Sequence, residues 1–188
     1  MVLLAHMLRY SVVTLLGSPC SLSKGVHPSS WRDPKRLDIA DVGNFRIHLG
    51  EIQASLKLIE EQASLINHLI AIGGDHTISL PLLRAIHAKR GPVALIHFDA
   101  HVDTWNDNFG QAYAHGSGFY HAINEGLVIP HKVVQIGIRS PVQQDTMDWT
   151  VGKVNLGLCM YELGWWFGHR YGGDCGFVVC CIIARLSF

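Results

Sequence analysis

The chain has 188 residues with 15 basic and 15 acidic side chains, enough length for one domain with a core and no charge excess to attract nucleic acid or an anionic membrane surface. Small molecules or further copies of the chain are the partners this balance leaves. Its five cysteines are Cys20 and a cluster at Cys159, Cys175, Cys180 and Cys181, an odd and one-sided distribution that argues against a disulfide framework and for a reducing, cytoplasmic setting.

The first sixteen residues are apolar on average, but His6 and Arg9 interrupt them and no basic segment precedes them, so they do not read as a secretory signal. No apolar run reaches the roughly eighteen residues that a membrane helix needs. From Leu49 the apolar residues fall at Leu49, Ile52, Leu56, Ile59, Ala63 and Ile66, a three-and-four spacing that predicts an amphipathic helix. Leu69 to Ile72 reads as a short buried strand closed by Gly73-Gly74. Pro81 sits where a first helical turn tolerates it, and the helix runs through Leu82, Leu83 and Ile86 to a cationic end at Lys89-Arg90 and a glycine stop at Gly91. Val93 to Phe98 is the next strand, Phe119 to Glu125 a helix capped by Gly126, and Lys132 to Ile138 a third strand. This alternation predicts an α/β fold with the strands parallel in one sheet and the helices as crossovers. Gly157 to Phe188 shows no helix or strand period.

Ligands of open parallel sheets bind at the carboxyl ends of the strands, and two such ends here carry chemistry. Asp99, His101 and Asp103 follow the apolar run at every second position, so an extended backbone would turn all three to one side. Gly73-Gly-Asp-His76 delivers another imidazole from a tight glycine turn. His76, Asp99, His101 and Asp103 are hard oxygen and borderline nitrogen donors without a thiolate, a set that suits Mn²⁺ or a related divalent ion better than structural zinc. Asp75 reads as a turn residue rather than a ligand. His97 lies on the parity of the ligands, yet reads as a packed core histidine. His48, His68, His87, His121 and His131 lack a nearby partner set and read as structural.

These residues resemble the ureohydrolase family, the arginases, agmatinases and related guanidino-group hydrolases. GGDH (73–76) and DAHVD (99–103) match two of its metal-binding motifs, while AHGSGFYHAINEGL (114–127) and VVQIGIR (133–139) look most like the agmatinase branch. The likeness covers residues 27–149, leaving 1–26 as an unmatched N-terminal segment, 27–149 as a partial ureohydrolase domain and 150–188 as an unmatched tail. What the resemblance implies is a three-layer αβα sandwich with a parallel sheet, homo-oligomeric in its intact form. Its two manganese ions would serve hydrolysis of agmatine to putrescine and urea, a step of polyamine biosynthesis. By matching position, His76, Asp99 and Asp103 would hold one manganese and Asp99 and His101 the other, with Asp99 bridging. His115 matches a histidine that shuttles protons beside the substrate, and Asp103 would pass a proton to the leaving amine.

The guanidinium carbon is a poor electrophile and neutral water a poor nucleophile; two cations sharing a water correct the second defect by lowering its pKa. Family members carry a third metal motif and a later glutamate downstream, and neither is in this sequence. The resemblance therefore implies an incomplete domain, either a fragment or a chain read out of frame at both ends, with metal affinity and activity reduced. Guanidinobutyrate or another guanidino acid is the alternative substrate, and an inactive metal-binding or interaction fragment is the alternative outside catalysis.

Overall fold

The computed structural model describes residues 2–6, 39–107, 109–154 and 180–184. Strand β1 (Val2–His6) runs parallel between β2 (Ile39–Asn44) and β3 (Leu69–Ile72). In a second three-stranded sheet, β4 (Val93–Phe98) lies between β5 (Val128–Ile136), parallel to it, and β6 (Cys180–Ala184), antiparallel. Among the described residues the helices are α1 (Ile52–Ser64), α2 (Ser79–Arg90), α3 (Gly118–Asn124) and α4 (Gln144–Lys153), with a 3₁₀ turn at His76–Ile78 between β3 and α2. Among the described residues no helix is long and apolar enough to cross a membrane.

The α/β class and the parallel β4–β5 pair agree with the sequence. The single sheet does not: β3 and β4 are not hydrogen-bonded neighbours, because β5 and β6 occupy both edges of β4. A strand also stands at Cys180–Ala184, where the sequence carries no readable period; a short apolar run is ambiguous between strand and helix until a partner edge decides it.

The core follows the predicted periodicity in the middle of α1 but not in α2, where of Leu82, Leu83 and Ile86 only Leu83 is buried, and Leu49 and Ile52 at the start of the α1 stripe are exposed. Leu56, Ile59 and Ala63 form the buried stripe of α1, and Leu80, Pro81, Leu83 and Ala85 are the apolar side chains buried from α2. Val93, Ala94 and Leu95 are buried in succession, as in a strand covered on both faces. Phe119, Ala122 and Ile123 of α3 join Leu80, Leu83, Leu95 and Val133 in the main cluster, each large side chain contributing on the order of 1.5–3 kcal/mol by removal from water. A second cluster of Phe45, Ile59, Ala63 and Ala85, flanked by Leu69 and Ala71, ties β3 to the α1–α2 layer. Gly91, with φ +72°, ends α2 where the sequence places the stop.

Candidate metal centre

Two segments bring the motif residues together. The β4–β5 ladder continues one residue past the strand, Asp99 N–H donating to Ile136 O at 3.1 Å. The chain then bends, and Ala100 O accepts from Arg139 N–H at 2.9 Å and Ser140 N–H at 3.0 Å, so the segment after β5 clamps the start of the motif. Asp103 takes a left-handed conformation, φ +51°, which Asp tolerates better than most residues, and its carbonyl accepts the Phe119 N–H at 3.0 Å. The three motif residues therefore do not converge as alternate positions of an extended strand. β4 ends at Phe98, and the left-handed turn at Asp103 replaces the extended geometry.

His76 opens the 3₁₀ turn, whose cap is Asp75: its Oδ1 accepts the Thr77 N–H at 2.8 Å. Asp75 is thus a turn residue, as the sequence reading has it. One donor atom from each of His76, His97, Asp99 and Asp103 lies within 4.8 Å of the others. His76 Nδ1 contacts Asp103 Oδ2 directly and stands 3.4 Å from Asp99 Oδ2, and His97 Nε2 is 3.3 Å from that same oxygen. The other oxygen, Asp99 Oδ1, turns outward, accepting the His101 N–H at 2.9 Å and meeting His101 Nδ1 at 3.2 Å. The two oxygens of Asp99 therefore address two separate sets of imidazoles.

The inner set is enclosed. His97 is fully buried and Asp103 nearly so, while the His101 side chain is 56% exposed. Phe119 meets the His97 and His76 rings at steep angles, with centroids 4.4 and 5.4 Å away, and walls the cluster on the core side. Burial opposes ionisation of Asp99, but the His97 side chain, the His101 N–H and the nearby His97 and His76 rings outweigh it and hold its carboxyl well below the usual carboxylate range. An ionised carboxylate beside a second one, with imidazole nitrogens and no sulfur, fits a hard to borderline divalent cation.

Of the four sequence-predicted ligands, His76, Asp99 and Asp103 come together, and His101 stands at the outer oxygen of Asp99. His115 is exposed and is not among the clustered groups. His97 is both what the sequence suggested, a buried histidine, and a member of the cluster. Phe119 and Gln135 have no site role in the sequence reading, which places them only in a helix and a strand. Gln135 could have been noticed as an amide inside the apolar strand Val133–Ile136, where it pairs in register with His97.

The sequence profile of the Arginase family matches residues 17–162. An agmatinase from Sodalis glossinidius is 43% identical over 116 residues, 59% of this chain and 37% of the agmatinase. A guanidinobutyrase from Pseudomonas aeruginosa is 42% identical over 108 residues, 55% of this chain and 34% of that protein. The chain thus spans between a third and two fifths of the length of these curated relatives. Among solved structures, a hypothetical agmatinase from Burkholderia thailandensis superposes with a TM-score of 0.64 at 28% identity, covering 92% of this chain and 56% of that one. With the GGDH and DAHVD segments meeting in one enclosed cluster and the profile spanning most of the sequence, the chain belongs to the Arginase family.

Proposed function

We propose that this chain carries the first part of a dinuclear manganese site for hydrolysis of a guanidino group to an amine and urea, with agmatine as substrate and putrescine as product. The observation that carries this reading is Asp99, whose inner oxygen faces His76 and His97 while its outer oxygen faces His101. That is the disposition a bridging carboxylate needs. His76, Asp99 and Asp103 would hold one ion, Asp99 and His101 the other. Bound manganese supplies a nucleophilic water at neutral pH and stabilises the charge that develops on attack.

The chain's own residues supply the rest. Asp103, buried and in a left-handed turn, would take a proton and return it to the departing amine. His115, exposed in the loop before α3, is the candidate relay to solvent. Residues 27–149 would be the unit that does this; the balanced charge and clustered cysteines favour a cytoplasmic enzyme without nucleic-acid or membrane partners, and the family resemblance adds a homo-oligomer.

Two further readings have support. The guanidinobutyrase matches almost as well as the agmatinase, which keeps a guanidino acid open as substrate. The enclosed group of His76, His97, Asp99 and Asp103 also supports a chain that binds metal without turnover.

The deciding experiment measures urea released from agmatine and from 4-guanidinobutyrate with added Mn²⁺, by this chain alone and by its residues 1–154 joined to the C-terminal part of the Sodalis agmatinase. Slow or absent release by the chain alone and Asp99-dependent release by the fusion are expected. A fusion that binds metal normally and hydrolyses neither compound would contradict the enzyme reading.

A further inference from the structure

His97 is fully buried, and its Nε2 has no hydrogen-bond partner among the described residues, although it lies 3.3 Å from Asp99 Oδ2. On the far side of the ring, Nδ1 is 3.2 Å from Gln135 Nε2. That same amide nitrogen donates to Val102 O at 2.7 Å. A backbone carbonyl can only accept, so the Gln135 side chain must present its NH₂ there, and its second N–H is then directed at His97 Nδ1. An atom that accepts this bond cannot carry a proton, so the neutral ring must carry its proton on Nε2, the nitrogen beside Asp99. The chain of contacts runs from Val102 O through Gln135 and His97 to the inner oxygen of Asp99.

We infer that His97 is a positioning residue for Asp99, held by Gln135 in the tautomer that donates from Nε2 to the carboxylate, and not itself a metal ligand. Ligation through Nε2 would need the proton on Nδ1, facing the Gln135 N–H, with two donors in collision. A buried donor removes one rotational freedom of the carboxylate and steadies the direction in which its oxygens face. At 3.3 Å the contact is within hydrogen-bond reach, and what it lacks is alignment, which a rotation of the Asp99 carboxylate would supply. Phe119, with its ring centroid 4.4 Å from that of His97, prevents the imidazole from swinging toward the core. The inference rests on the reading of Asp99 as a metal ligand, but the tautomer itself does not.

The test has two arms on the full chain. In the metal-free protein, imidazole ¹⁵N shifts and two-bond couplings assign the tautomer of His97; the Nε2–H form is expected, and a Gln135→Met variant is expected to lose that preference. Isothermal titration with Mn²⁺ then compares His97→Leu, which removes the donor, with His97→Gln, whose amide nitrogen can take the place of Nε2. His97→Leu is expected to weaken binding about 10-fold or more, and His97→Gln to keep it within about 3-fold of the parent. An Nδ1–H tautomer in the parent, or equal losses in His97→Leu and His97→Gln, would overturn the inference. If Asp99→Ala binds Mn²⁺ as the parent does, the metal reading fails and takes this inference with it; if only Asp99→Ala weakens binding, the failure is confined to His97.

Discussion

Gly137 lies against the carbonyl of Asp99: a Cβ built on it would stand 3.2 Å from that oxygen. Its φ of +91° is one that L side chains rarely adopt. The residue that follows β5 and the residue that begins the metal motif are thus held together by the absence of a side chain. Gly137→Ala is expected to cost about 1–3 kcal/mol of stability from the strained backbone, with a further loss of Mn²⁺ affinity as Asp99 is pushed aside. Urea denaturation and metal titration of the variant check both; an unchanged midpoint with unchanged affinity would show that the contact is loose.

Phe119 links the core to the site. It is fully buried in the main apolar cluster while its ring faces both His76 and His97. Phe119→Ala is expected to destabilise the fold by about 3–5 kcal/mol, the usual range for an emptied aromatic site. Phe119→Leu, which keeps most of the volume, should cost less than about 1.5 kcal/mol yet still lower metal affinity, because the imidazoles lose their flat wall. Thermal unfolding followed by circular dichroism separates the two effects. A Phe119→Leu chain with parent-like affinity would assign Phe119 to packing alone.

Arg84 of α2 makes a forked pair with Glu125, Nε to Oε2 at 2.7 Å and Nη2 to Oε1 at 2.6 Å, and its guanidinium carbon lies 5.9 Å from the Tyr113 ring centre. The pair joins α2 to the end of α3, just beyond the helix that carries Phe119. Since the groups are partly exposed, Arg84→Lys should cost only about 0.5–1 kcal/mol, with the difference shrinking in 1 M salt. Stability curves at low and high salt check this, and a loss that salt leaves untouched would point to packing rather than charge.

Much of this arrangement was legible in the chain. Leu69 to Ile72 and Val93 to Phe98 are strands at the predicted residues, because each is a short apolar run bounded by turn-formers. The stop at Gly91 and the helix near Phe119 follow equally local rules. What escaped depended on distant partners. β2, with Asp41, Gly43 and Asn44, has no strand period and exists by pairing with β1. α4 buries only Thr150 and so has no apolar stripe to read. The same division holds at the site. His76, Asp99 and Asp103 announce themselves by residue type, whereas the enlistment of His97 depends on a glutamine 38 positions away that happens to be its cross-strand neighbour. The left-handed turn at Asp103 is a tertiary outcome as well, fixed by the Phe119 N–H.

Calorimetric titration of Mn²⁺ into the metal-free 188-residue chain, compared with a double Asp99→Ala, His101→Ala variant, bears on every functional statement above. The two substitutions remove the bridging carboxylate and its outer imidazole while leaving the apolar core intact. Saturable binding by the parent and its loss by at least about 10-fold in the variant are the expected results. Identical isotherms for the two proteins would contradict a metal centre at the end of β4.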